Sequence, residues 1–329
     1  VICQGTGGYT CVMSEKRAAR IIAVGGGKGG VGKTLVSTNL AVAMAVRGQR
    51  TLLVDADLGG ANAHTILGVP PPLATLSDLV ERKANLDDVA VNTPFANLRF
   101  VSGALDNISA ANPKHSAKMR LLRQLGRADG VDVVVLDLGA GTSFNTLDFF
   151  LIAHTSILVV LPEPTSVENA YRFLKAAFFR RLAAVEKAYG IADILEAARS
   201  QRNELGVHTP ADLLAAIEKK NPDVGRQVRA QMSRFEPCLL LNQALPAAAG
   251  GTQGEDDGTV ARDMASACRR FLGVPARVLG VLPEDEAVRR AVRARKPLAA
   301  IAPDAPIKRA LDGVADRLLA ELGAAEAAA

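Results

Sequence analysis

Residues 25–34 read GGGKGGVGKT, and within them Gly27-x-x-x-x-Gly32-Lys33-Thr34 has the spacing of a phosphate-binding loop. Glycines let the backbone wrap closely around phosphate oxygens. The N–H groups of Gly29, Gly30 and Val31, together with the start of the helix that follows, supply positive potential. Lys33 would reach the β- and γ-phosphates of a nucleoside triphosphate, and the Thr34 hydroxyl would ligate Mg²⁺. Lys28 is a second lysine in a loop that needs only one. The same letters satisfy a dinucleotide pattern, Gly25-x-Gly27-x-x-Gly30, with Asp55 near where a ribose-binding acid belongs. The Lys33-Thr34 pair separates the two, because a dinucleotide site has no use for a γ-phosphate lysine or a metal hydroxyl.

Three carboxylates extend the site. Val133–Asp137 is an apolar run ending in an acid, as the metal side of such a site requires. Val54-Asp55-Ala56-Asp57 ends another run with two acids at i and i+2, so one can face the metal and the other an attacking water.

These residues must be held by a framework, and short β-branched runs alternating with helical patterns describe it. The runs are Ile21–Val24, Thr51–Val54, Leu98–Val101, Val131–Leu136, Ile157–Leu161, Cys238–Leu241 and Arg277–Val281. Helical patterns lie near 33–47, 75–82, 113–128, 145–153, 166–189, 259–272, 284–295 and 306–322. The first should bury Leu35, Asn39, Val42 and Val46. Several strands are apolar on both faces, so the expected fold is α/β, a mostly parallel twisted sheet covered by helices on both sides. Residues 1–18 are read as a disordered leader or an artefact of the assigned start, and 19–329 as one domain. At about 177–235 the strand rhythm lapses into a helical insertion. There Thr209-Pro210 caps a helix carrying Leu213, Leu214 and Ile217, and Val224, Val228 and Met232 form a second stripe. Residues 246–258 have the composition of a mobile loop.

Composition narrows the function. No apolar run approaches the roughly 18–20 residues of a membrane span. Aromatic residues make up 4% and there is no Trp, which argues against base-stacking platforms. Cys3, Cys11, Cys238 and Cys268 lack metal-ligand spacing and read as reduced cytosolic thiols. A net charge of +5 permits contact with nucleic acid or anionic lipid without requiring it.

GKGGVGKT at 27–34, DADLGGANAHTILG at 55–68 and DLGAG at 137–141 resemble the MinD/ParA family of P-loop ATPases, and most of all its MinD and FlhG (FleN) branch. The Thr75–Asp78 turn, Leu241-Asn242-Gln243 and Gly280–Asp285 are similar to that family as well, so the resemblance covers roughly 20–176 and 236–320. It implies an ATP- and Mg²⁺-dependent hydrolase that dimerises when ATP is bound. Lys28 would cross the dimer interface to the partner's phosphates. Asp57 would orient water, and Thr34, Asp55 and Asp137 would serve Mg²⁺. Asn242, Pro283 and Asp285 would frame adenine, and Asn62 matches a family Asn in the first switch. It also implies a partner protein that stimulates hydrolysis, with the insertion as one docking surface, and a cytoplasmic location with peripheral attachment to the inner membrane face.

Three functions stay open on this reading: a MinD/FlhG-like switch placing flagella or the division site, a ParA-like DNA-partitioning ATPase, and a nucleotide-binding docking module with little turnover. The final helix carries an apolar stripe of Ile307, Leu311, Val314, Leu318 and Leu322, but its polar face mixes both charge signs, which favours packing over membrane anchoring. Arg289, Arg293 and Lys296 share one face of the 284–295 helix, with Val288, Ala291 and Val292 on another. The basic face is a solvated surface or a patch for DNA or an acidic partner. Iron–sulphur carriers of the family are set aside because no CxxC is present.

Overall fold

A computed structural model describes residues 18–57, 60–103, 115–199, 207–245 and 257–327. The leader, most of the 246–258 loop and residues 200–206 of the insertion lie outside the described residues. Eight strands form one sheet: β1 (Arg20–Gly25), β2 (Thr51–Asp55), β3 (Val91–Asn92), β4 (Leu98–Val101), β5 (Val133–Asp137), β6 (Thr155–Val160), β7 (Cys238–Ala244) and β8 (Arg277–Pro283). Their order is β3-β4-β2-β5-β1-β6-β7-β8, and every pair is parallel except β3–β4. The two-residue strand β3 gives no periodicity to read in the sequence, and it blunts the sheet edge.

Alternation along the central strands divides the core. Ile21 and Ala23 of β1 face one apolar layer, and Ile22 and Val24 face the other. One layer is covered by helices His115–Gly126, Phe144–Ile152 and Pro164–Tyr189 and by the inserted helices. The other is covered by helix Lys33–Val46 and the final helix Pro306–Ala327. Helix Lys33–Val46 buries Leu35, Asn39 and Val42, but Val46, expected on that face, is the last residue of the helix and is 69% exposed.

Between β6 and β7 the described residues form only helices: Pro164–Tyr189, Ala192–Arg199, Pro210–Lys220 and Pro222–Ser233. The first runs unbroken through residue 177, the expected start of the insertion, so no break in the chain marks that boundary. Thr209 caps Pro210–Lys220 by accepting from the Asp212 N–H at 3.1 Å. Leu213, Leu214, Ile217, Val228 and Met232 all point into the core. Ile307, Leu311, Val314 and Leu318 of the final helix are equally buried, so its apolar stripe is used in packing. Arg47 fixes that helix through Asp312 at 3.0 Å and Asp316 at 2.5 Å. Among the described residues no helix is long and apolar enough to cross a membrane.

One buried ion cluster has a measurable consequence. Asp148 accepts from Lys118 and Arg180, each at 2.8 Å, joining three helices, and Lys118 and Asp148 are both buried. Burial pushes the Asp148 carboxyl up, but its bonds to Arg180 and Lys118 outweigh this and hold it below the usual carboxylate range. Asp148→Ala leaves the Lys118 charge uncompensated and is expected to cost about 3–5 kcal/mol in urea unfolding. A carboxyl whose folded pKa is depressed stabilises above its unfolded pKa and loses that contribution as pH falls through the folded value. The wild type should therefore approach the variant's stability in acid.

Candidate functional site

All the parallel strands end at one edge of the sheet, and the order reverses around β5 and β1, a place where ligands sit in open α/β sheets. β1 feeds the 25–34 loop into helix Lys33–Val46. β5 lies between β1 and β2 and sets Val24 beside Asp137 and Asp137 beside Asp55. Sheet register, across 82 positions of sequence, is what makes one site of these residues.

The loop needs glycine at two points for different reasons. Gly32 has φ +93°, and a Cβ there would stand 2.4 Å from Asn242 Nδ2. At Gly27 a Cβ would stand 2.3 Å from the Asn169 carbonyl oxygen, because the loop lies against helix Pro164–Tyr189. Gly27→Ala should displace the loop while the apo protein still melts cooperatively. A displacement of about 1 Å is enough for a loss of turnover on the order of a hundredfold. Steady-state hydrolysis beside a thermal melt checks this.

Lys33 is buried, with Nζ 3.4 Å from the Lys28 carbonyl oxygen. Burial pulls its ammonium below the usual lysine range, while Asp137 and Asp57 pull it back up. Asp137 is fully buried. Burial raises its carboxyl, as does the neighbouring Asp55, against bonds from Thr34 and Ser37 and the charge of Lys33. Its Oδ1 has no hydrogen-bond partner. Asp55 is likewise raised by burial, although the N–H groups of Asp57 and Ala63 each donate to it at 3.1 Å and Asn62 N–H also donates. Asp55 therefore ties the start of helix Ala63–Leu67 to the end of β2. Asp57 lies against Gly139, where a Cβ would be 3.0 Å from Oδ1.

Two buried carboxylates side by side, one with an orphaned oxygen next to Thr34, fit a divalent cation. Among the described residues no group of three or more His, Cys, Asp or Glu forms a self-sufficient metal site, so the remaining ligands would be phosphate oxygens and water.

Asn242 is buried at the end of β7. Its Nδ2 donates to the Val31 carbonyl at 2.9 Å and its Oδ1 lacks a partner, so it can accept from a base amino group. A bulge beside it puts Gln243 at φ +57°. Pro283 pairs with Ala244 there, bringing the 283–285 turn next to Asn242. The Asp285 carboxylate caps the next helix through Ala287 N–H at 2.9 Å and accepts from Ile307 N–H at 3.3 Å. Likewise the Thr75–Asp78 turn is a helix capping box.

Lys28 does not share the Lys33 position. Its ammonium is 3.6 Å from Glu163 and 3.5 Å from the Thr165 hydroxyl, at the start of helix Pro164–Tyr189. Neither Glu163 nor Thr165 is signalled by any local pattern, since 137 positions separate Lys28 from Thr165. Ser37, which bonds Asp137, was legible only as one more helix residue. On helix Glu286–Ala294 the buried residues are Ala287 and Ala291, whereas Val292, expected with them, is 46% exposed beside the arginines.

A ParA family model, described as "NUBPL iron-transfer P-loop NTPase", matches residues 17–191. The antiactivator FleN of Pseudomonas aeruginosa is 29% identical over 309 residues, 93% of this chain and 88% of that protein. The flagellum site-determining protein YlxH of Helicobacter pylori is 28% identical over 50% of this chain and 55% of its own length. The cell-division ATPase MinD of Pyrococcus furiosus has the same fold, with a TM-score of 0.58 at 23% identity over 91% of this chain and 98% of that one. The two described cysteines are buried, and burial pushes the Cys238 thiol up to about 12 and the Cys268 thiol up to about 11.

Proposed function

Because the chain belongs to the ParA family of P-loop NTPases, we propose that it is an ATP-driven monomer–dimer switch that sets the position or number of a cell structure such as flagella or the division site. Relatives named for flagellum and septum site determination support the biological half of this reading. The observation that carries the molecular half is the separation of the two lysines. Lys33 fills the place a single phosphate loop needs, while Lys28 sits at the half-exposed rim on Glu163 and Thr165, with open space at Gly29 and Gly30 for a second copy to approach.

In this mechanism the loop amides and Lys33 bind the β- and γ-phosphates of ATP, and Asn242 holds the adenine. Thr34, Asp137 and Asp55 would hold Mg²⁺, which would supply positive charge against the phosphate oxygens. Asp57 orients the attacking water. Lys28 leaves Glu163 for the partner subunit's phosphates, placing a cation where the transition state spreads its charge. Dimerisation therefore depends on ATP, and a partner protein that stimulates hydrolysis would reset it.

Sizing chromatography tests the reading: with ATP and Mg²⁺ the wild type should elute partly as a dimer, and with ADP as a monomer. A second reading, a DNA-bound dimer, draws on the exposed Arg290, Arg293, Arg295 and Lys296. ATP-dependent retention of duplex DNA that weakens steeply with salt would favour it.

A further inference from the structure

A cavity of about 680 Å³ lies between the exit of helix Ala63–Leu67 and the end of the basic helix Glu286–Ala294. Its lining includes His64, Val69 and Pro70 from the switch side, Phe95 from the turn before β4, and Arg295 and Lys296. A volume of this size, with mostly apolar walls and a few convergent polar groups, is characteristic of small-molecule sites. Among the described residues no carboxylate lines it. Among the described residues Arg295 and Lys296 have no side-chain partner, whereas Arg289 on the same helix pairs with Glu286 at 3.2 Å. Arg295 is held at φ +51°, where helix ends ordinarily carry glycine. It packs against Gly68, where a Cβ would stand 2.7 Å from the Arg295 carbonyl oxygen. His64 Nδ1 is buried without a hydrogen-bond partner.

We propose that this cavity binds a small organic anion with an apolar body, a monocarboxylate of the fatty-acid type, with its charge on Arg295 and Lys296 and its hydrocarbon against Val69, Pro70 and Phe95. The mostly apolar walls favour an oily body over a bare phosphate, and the exposed Arg295 and Lys296 at the rim supply cations for the acid group at the end of that body. The site communicates with the nucleotide. Helix Ala63–Leu67, one wall of the cavity, begins at the amides that bond Asp55, so filling the cavity biases the switch segment. The inference is independent of the dimer switch, because it requires neither Lys28 nor dimerisation.

The test uses the full chain and the fluorescent sulfonate 8-anilinonaphthalene-1-sulfonate as probe. One saturable probe site per chain is expected, displaced by decanoate below its micellar range but not by the neutral decanol. Arg295→Ala combined with Lys296→Ala should weaken decanoate by about tenfold or more. Ala300→Trp, which fills the chamber and keeps both charges, should abolish displacement, with thermal melts confirming that both variants are folded. Decanoate should also shift the affinity for a fluorescent ADP in the wild type and not in Ala300→Trp. Equal displacement by decanol, or unchanged decanoate binding in the two folded variants, overturns the site. An unmoved ADP affinity overturns the coupling. Displacement by phosphatidylglycerol vesicles at matched lipid concentration overturns the free-acid assignment in favour of a membrane headgroup.

Discussion

Lys33→Met should remove stable ATP binding without unfolding the protein. Its ammonium is the buried cation of the phosphate loop, and burial already pulls it below the usual lysine range in the nucleotide-free protein. Truncating one partner of a desolvated charge pair costs about 2–5 kcal/mol, roughly thirty- to a few-thousandfold in affinity. The apo state responds in the opposite direction. A charged lysine held in a site that disfavours its charge opposes folding, so an apolar chain of similar length should melt no lower than wild type. Titration with fluorescent ADP and ATP, set beside a nucleotide-free melt, reads both quantities. Retained ATP affinity would end the phosphate-loop assignment, and a collapsed melt would show that Lys33 supports the fold instead.

Asp57→Ala and Lys28→Ala should divide the cycle between them. An oriented hydrolytic group contributes about 3–4 kcal/mol to a barrier, so Asp57→Ala should lower turnover by roughly a hundred- to a thousandfold. Contacts that hold the ATP-bound ground state change far less, and this variant should persist as a dimer on sizing chromatography with ATP and Mg²⁺. Lys28→Ala should bind nucleotide nearly as wild type, because its ammonium rests on Glu163 and Thr165 and Lys33 occupies the phosphate position. It should stay monomeric and turn over slowly. The Lys28–Glu163 pair is half-exposed and worth at most about 1 kcal/mol, so its release does not obstruct dimerisation. If wild type and both variants remain monomeric at saturating ATP, Lys28 is not an interface residue and the switch model falls with it.

Much of this protein was legible in the chain before folding because its signals are local. The loop is ten consecutive residues, and every parallel strand announced itself as a short apolar run. Helix Pro210–Lys220 was visible from Thr209-Pro210, since a cap and a helix-starting proline act within one turn. Where periodicity was short or its context lay elsewhere, reading failed. β3 has two residues, Val46 ends its helix exposed, and the Val292 side of its helix meets solvent. What the tertiary structure alone decided was which distant groups meet. Asp137 comes beside Asp55 through the β2–β5 register, and Asn242 reaches Val31 from 211 positions away. Glu163 and Thr165 take hold of Lys28. Residue types and spacing determined the chemistry available, because phosphate contacts are made by adjacent amides and the side chains next to them. Pairing across the sheet determined where the charges collect, because strand register and crossover packing depend on the whole core and not on any window of sequence.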